Sequence, residues 1–105
     1  MKKCYNKLVR DKIPKIIAAS GGQCKTEILR DEEYLKMLDT KLDEELAEYH
    51  KDQNIEELAD MVEVIYAAVI ARGYTLDELE AVRVKKLEER GGFKDKILLV
   101  ETVTE

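Results

Sequence analysis

Two long helical segments joined by a very short connector constrain the fold of this chain more than any other feature. Apolar side chains recur at helical spacing over residues 31–51, which predicts one amphipathic helix. A second helix is predicted over residues 55–72, with Asn54 as its N-cap. Because only residues 52–54 connect the two segments, we expect the helices to pack antiparallel.

Two shorter helices are predicted on either side of this pair. Pro14 is tolerated in the first turn of a helix, which places one helix at residues 12–19. The sequence T-L-D-E that begins at Thr75 is a capping box and predicts a helix that ends near Arg90. These signals indicate four helices in all.

The two ends of the chain are short and extended in character. Residues 4–9 could pair with the β-prone tail at residues 96–103 as a two-stranded ribbon, which would need to pack on the helices. We therefore expect an all-α, four-helix bundle-like fold with a short terminal ribbon, in a single domain over residues 1–105. Residues 61–70 are almost entirely apolar, which predicts a homo-oligomer, since a helix that is apolar all round needs neighbours on every side.

Composition excludes several classes of protein. Hydrophobic residues make up 45% and charged residues 39% of the chain, as in a soluble helical protein. A net charge of −5 argues against a nucleic acid polymer as partner. No apolar run approaches the roughly 20 residues of a membrane span, so no membrane is expected. Cys4 and Cys24 lack the spacing of a zinc site, and we interpret them as free thiols of a cytoplasmic protein.

Five acids on the two central helices are the candidate functional residues. Glu44, Glu45 and Glu48 form one cluster, and Glu57 and Asp60 form another. Residues three or four apart share a helix face, and the short connector brings the end of one helix near the start of the next. Glu45, Glu48, Glu57 and Asp60 are therefore predicted to share a metal site, whose oxygen ligands suit Mg²⁺ or Mn²⁺.

The competing interpretation is a solvated acidic surface. Lys41 lies four residues before Glu45, at the spacing of an ordinary helical ion pair. Lys51 lies three residues after Glu48. Glu57 is the third helical residue after Asn54, a position that capping alone would explain. In this interpretation, the chain is a non-catalytic helical oligomerisation or regulatory module.

Four cations are candidates for binding a phosphate-bearing substrate. Three lie near the start of the chain and one follows two glycines whose backbone N–H groups could approach an anion: Lys7, Arg10, Lys12 and Lys94. A solvated arm and a plain helix end are the alternatives at these positions. The basic residues are weaker candidates than the acids.

Three motifs in order resemble a known family. The sequences E-E-L-A-E at residues 44–48 and E-L-A-D at residues 57–60 resemble the signature of the all-α nucleoside triphosphate pyrophosphohydrolases. That superfamily includes MazG-like enzymes and phosphoribosyl-ATP pyrophosphohydrolase. Residues 5–14, Y-N-K-L-V-R-D-K-I-P, and residues 90–93, R-G-G-F, are similar to a branch labelled phosphoribosyl-ATP pyrophosphohydrolase-like. The two acidic motifs are closer together than in many MazG-like members, which leaves less room over a nucleotide.

The resemblance implies Mg²⁺-dependent cleavage of a nucleoside triphosphate between its α and β phosphates, which gives a monophosphate and pyrophosphate. It implies that Glu45, Glu48, Glu57 and Asp60 bind the metal ion. Glu44 would support the site or orient water, and either Glu44 or Glu48 would accept the proton of the water. It also implies a helical homo-oligomer. House-cleaning of unwanted nucleotides is the favoured role, with the phosphoribosyl-ATP step of histidine biosynthesis as the alternative.

Overall fold

The computed structural model of the protein describes residues 2–104. The four predicted helices are present, and the described part of the chain contains no β-strand. The all-α class is therefore confirmed. The helices are α1 (Ile13–Ala19), α2 (Asp31–Asp52), α3 (Ile55–Ala71) and α4 (Leu76–Arg90).

The chain divides into two compact units at Tyr74. The first unit contains α1, α2 and α3, and the second begins at Thr75 and contains α4 and the tail. Within the first unit α2 and α3 pack against each other, whereas α1 packs against neither of them. A bundle of all four helices and a single domain over residues 1–105 stay predictions.

The predicted terminal β-ribbon was wrong. Residues 4–9 and 96–103 form no strand. The apolar side chains of the tail are mostly exposed to solvent, and Ile97 and Leu98 are each 83% exposed. A two-stranded ribbon is marginal unless it packs on other structure, and these side chains have no such surface to stabilise pairing.

The reversal between α2 and α3 takes two residues. Gln53 adopts the left-handed conformation with φ 50° and donates its backbone N–H to the carbonyl of Tyr49 at 2.7 Å. Asn54 then caps α3, because its side-chain oxygen accepts the backbone N–H of Glu57 at 2.9 Å. These two residues end one helix and begin the next without a longer loop.

The outer helices also begin where the sequence predicts. Pro14 lies in the first turn of α1. Thr75 caps α4 in a complete capping box, in which its side chain accepts the N–H of Glu78 and the Glu78 carboxylate accepts the N–H of Thr75. Local signals therefore mark both starts: proline in the first turn of α1 and the capping box of α4.

Apolar burial in the described residues is sparse. Leu38 of α2, at 4% exposed, is the one buried hydrophobic residue there. The face of α3 that carries Val64, Ala67 and Ala68 is partly buried. Its other face remains between 37% and 59% exposed, and we call it the α3 stripe: Leu58, Val62, Ile65, Tyr66 and Ile70. No helix in residues 2–104 combines the length and the apolar character needed to cross a membrane.

Replacement of Gln53 by glycine should stabilise the protein. The left-handed conformation costs a residue with a Cβ about 1–2 kcal/mol, and glycine avoids this cost. Glycine in turn loses more backbone entropy on folding, which lowers the free energy of unfolding by about 0.5–1 kcal/mol. We expect Gln53→Gly to raise the free energy of unfolding by about 0.5–1 kcal/mol, measured by urea denaturation. Gln23→Gly is the matched control, since Gln23 lies in the connector between α1 and α2 and does not itself adopt a positive φ. Equal effects of the two substitutions would contradict the strain at Gln53.

Candidate functional site

Acidic side chains of α2 and α3 line an open cleft of about 540 Å³ in the first unit. We call it the acid cleft. The residues that line it are Lys7, Lys41, Glu44, Glu45, Ala47, Glu48, Glu57 and Asp60. The antiparallel reversal produces this arrangement, because the last turns of α2 lie beside the first turns of α3.

The carboxylates of the cleft region fall into two groups that overlap. Oxygen atoms of Glu45, Glu57 and Asp60 lie within 4.8 Å of one another. Oxygen atoms of Glu48, Asp52 and Glu57 satisfy the same distance. Glu57 belongs to both groups and is the residue that joins them.

The structure distributes the four predicted metal ligands over both groups. Three of them converge in the first group, while Glu48 is exposed and converges with Asp52 instead. Glu44, the predicted supporting residue, lines the cleft but belongs to neither group. Sequence reasoning missed Asp52. Its signal was present, since Asp52 follows Glu48 by four residues and α2 continues through it.

Two cations of the chain itself already contact these acids. Nζ of Lys41 lies 3.2 Å from Oε2 of Glu44 and 3.4 Å from Oε1 of Glu45, on the same helix. Nη2 of Arg10 lies 2.6 Å from Oδ1 of Asp60 and donates a hydrogen bond to it. The acid cleft is therefore a site of mixed charge.

The other predicted ion pair and basic residues lie outside these contacts. Within residues 2–104, Lys51 forms no ion pair with Glu48. Lys7 lines the cleft. Lys12 is exposed at the N-cap of α1 and does not line it. Lys94 belongs to the second unit, in the exposed segment after α4.

Glu57 is an acid of the cleft whose pKa is raised above its ordinary value. Partial burial raises its pKa, and repulsion from Asp60, Asp52, Glu48 and Glu45 raises it further. Its carboxylate has no hydrogen bond or ion pair within residues 2–104. A cation at this position would relieve the repulsion.

The donor chemistry fits a hard divalent ion. The anionic groups that line the cleft are carboxylates, and Mg²⁺ and Mn²⁺ prefer oxygen ligands. Exposed acidic groups of this kind also occur in proteins without any ion. Two overlapping groups are placed closely enough to hold one ion: Glu45, Glu57 and Asp60, and Glu48, Asp52 and Glu57.

Comparison with known proteins extends over part of the chain. A protein of Mycolicibacterium smegmatis (strain ATCC 700084 / mc(2)155), described as uncharacterized, is 56% identical over 41 residues. The match spans 39% of this chain and 42% of that relative. No family profile matches the chain, and no solved structure matches it either. The similarity therefore assigns no family and no activity.

Removal of the Glu57 charge should make the metal-free protein more stable at neutral pH. A carboxyl group whose pKa is raised on folding stabilises the fold below its ordinary value, 4.5, and that stability is lost as the pH rises through the raised pKa. Glu57→Gln should therefore raise the melting temperature at pH 7 and lose this advantage below pH 4.5. Thermal denaturation followed by circular dichroism across this range would measure the difference.

Glu56→Gln is the matched control for this comparison. Glu56 also lies in the first turn of α3, so both substitutions lose the favourable interaction of an acid with the helix N-terminus. Glu56 does not line the acid cleft. Stability curves that coincide for the two variants would contradict carboxylate repulsion at Glu57.

Proposed function

We propose that this protein is a Mg²⁺-dependent nucleoside triphosphate pyrophosphohydrolase, with Mn²⁺ as an alternative ion. The observation that carries the proposal is the convergence of acids from two sequence motifs on two helices in one open cleft. The motif resemblance supplies the reaction: cleavage between the α and β phosphates into a nucleoside monophosphate and pyrophosphate. We further propose a cytoplasmic house-cleaning role.

The acidic and the basic side chains of the cleft have different roles in this proposal. Glu45, Glu57 and Asp60 would hold the ion, with Glu48 as a further ligand. When bound, Mg²⁺ supplies charge neutralisation at the phosphates and an activated water. Lys7 lies where a cation can contact the phosphates of a nucleotide in the cleft. Positioning and charge stabilisation of this kind are the main requirements of phosphoryl transfer.

The proton of the attacking water needs a carboxylate acceptor. The water oxygen forms a bond to the α-phosphorus, the bond from that phosphorus to the bridging oxygen breaks, and pyrophosphate leaves. Glu48 suits the role of general base because it is exposed and free of ion pairs in the described residues. Glu44 is the second candidate, although its carboxylate already forms an ion pair with Lys41.

Self-association belongs to the same proposal. The α3 stripe leaves apolar side chains in solvent along most of one helix. Burial of apolar surface contributes about 25 cal/mol per Å², so a second copy of the chain that covers the stripe would stabilise the protein. We propose a homo-oligomer, a dimer or larger, built on this surface.

The reaction should release pyrophosphate and no orthophosphate. The chain contains no G-x-x-x-x-G-K-[ST] loop to present a γ-phosphate, and the motif resemblance implies attack at the α-phosphate. The screen incubates standard and modified nucleoside triphosphates, and phosphoribosyl-ATP, with Mg²⁺ or Mn²⁺. Each substrate that is hydrolysed should yield its monophosphate directly, as measured by ion-exchange chromatography. An α,β-methylene substrate should not react. Nucleoside diphosphate together with orthophosphate would reject the proposed reaction.

Two acid variants serve as controls for that assay. Glu48→Gln and Asp60→Asn should abolish turnover and leave the helical circular dichroism spectrum unchanged. Wild-type turnover by either variant at saturating Mg²⁺ would reject the shared acidic site. The absence of both turnover and Mg²⁺-dependent stabilisation in the wild-type protein would favour the non-catalytic helical module.

Disruption of the α3 stripe should dissociate the oligomer. Ile65→Lys places a charge in the middle of the stripe, so we expect monomers or insoluble protein, as shown by sedimentation velocity at micromolar concentration. Glu63→Lys is the control, because Glu63 is an exposed α3 residue outside the stripe. A wild-type protein that sediments as a stable monomer at this concentration would contradict self-association.

A further inference from the structure

The ion pair between Arg10 and Asp60 places a cation of the N-terminal segment on one acid of the cleft. The two residues are 50 positions apart in sequence, so folding brings them together. We propose that this ion pair is exchangeable: Arg10 binds Asp60 until a divalent cation takes the carboxylate, and Arg10 then binds a phosphate group of the substrate. This inference rests on the proposed function and concerns the regulation of the same site.

The position of Asp60 favours exchange. Its carboxylate is one of three whose oxygen atoms lie within 4.8 Å of one another, with Glu45 and Glu57. The guanidinium of Arg10 contacts Oδ1 of Asp60 at 2.6 Å. A dication shared by the three acids and a guanidinium in contact with the same carboxylate would repel each other. Binding of the dication therefore favours displacement of Arg10.

The pair is weak enough to exchange. The side chain of Arg10 is 57% exposed and that of Asp60 is 39% exposed. Ion pairs between solvent-exposed groups contribute little to stability, because water screens them and ordering of the side chains costs entropy. A dication that contacts three carboxylates can therefore displace one guanidinium at small cost.

The released guanidinium would remain beside the cleft. Leu8 and Ile13, which flank Arg10 in sequence, are both partly buried, whereas Arg10 is exposed. Lys7 of the same segment lines the cleft. Arg10 thus lies between two partly buried residues, in the segment whose Lys7 lines the cleft. Its planar fork of N–H donors matches a phosphate group.

Exchange would couple the two binding events. A divalent ion frees Arg10 for phosphate, and phosphate keeps Arg10 away from Asp60, so each ligand should strengthen binding of the other. Such coupling is reciprocal by thermodynamic necessity. The acidic cleft would then bind a polyanion more tightly once the metal ion has bound, which disfavours binding of nucleotide without metal.

The first test observes Arg10 directly in the wild-type protein labelled with ¹⁵N-arginine. Titration with Mg²⁺ alone should move the Arg10 Nε–Hε NMR signal saturably, with the same midpoint as Mg²⁺ binding by calorimetry. Arg10→Met assigns the signal. The Arg72 signal is the internal control. Nη2 of Arg72 lies 3.9 Å from Oδ2 of Asp39, so Arg72 also forms an ion pair, and its side chain is 55% exposed. Arg72 does not line the cleft.

The outcomes of this titration separate the inference from the proposed function. Mg²⁺ binding with an unmoved Arg10 signal would overturn the exchange and leave the metal site intact. The absence of any Mg²⁺ binding would overturn the metal site, and with it the exchange. Neither outcome depends on turnover.

The second test is a double-mutant cycle with inorganic pyrophosphate as the probe in metal-free buffer. Asp60→Asn should free Arg10 and strengthen pyrophosphate binding by calorimetry. The gain in affinity for pyrophosphate should be at least about threefold larger with Arg10 present than in the Arg10→Met background. Comparison of the two backgrounds removes the general effect of one lost negative charge. Equal gains in the two backgrounds would overturn the transfer of Arg10 to phosphate.

Discussion

The short reversal between α2 and α3 is the constraint on which the site depends. Gln53 ends α2 in a left-handed conformation, and Asn54 caps α3 with its side chain. Because the chain turns within two residues, the acids of the last turns of α2 must lie beside those of the first turns of α3. A longer connector would let the helices separate or slide and would remove this requirement. The acid cleft is thus a consequence of the turn.

Gathered carboxylates raise the free energy of the folded state, and this chain offsets part of that cost with its own cations. Lys41 contacts two acids from within α2, and Arg10 contacts Asp60 from the N-terminal segment. Glu57 has no such partner among the described residues, and its raised pKa reflects its partial burial together with the repulsion that remains. An external cation would therefore meet no internal competitor at Glu57, whereas it would compete with Lys41 at Glu45 and with Arg10 at Asp60.

Local signals made the helices predictable, whereas the details of the site depend on tertiary placement. Asn54 and Thr75 are strong caps, so the starts of α3 and α4 follow from sequence alone. The terminal ribbon was wrong because its stability would come from packing that β-propensity does not reveal. Spacing placed four acids in one region. It also relates Glu48 to Asp52, but the helix predicted over residues 31–51 ended one residue before Asp52. The contact of Arg10 with a residue 50 positions away leaves no periodic signal in the sequence.

The faces of α3 separate the proposed interface from the proposed site. At 3.6 residues per turn, Glu57 and Asp60 lie on the side of the helix opposite Val62 and Tyr66 of the α3 stripe. The acids are accordingly partly buried on the side that carries Val64, while the stripe is exposed. A second copy that covers the stripe would bury apolar surface without closing the acid cleft. Self-association would then supply the core that one helix pair lacks, and substrate would still enter from the acidic side.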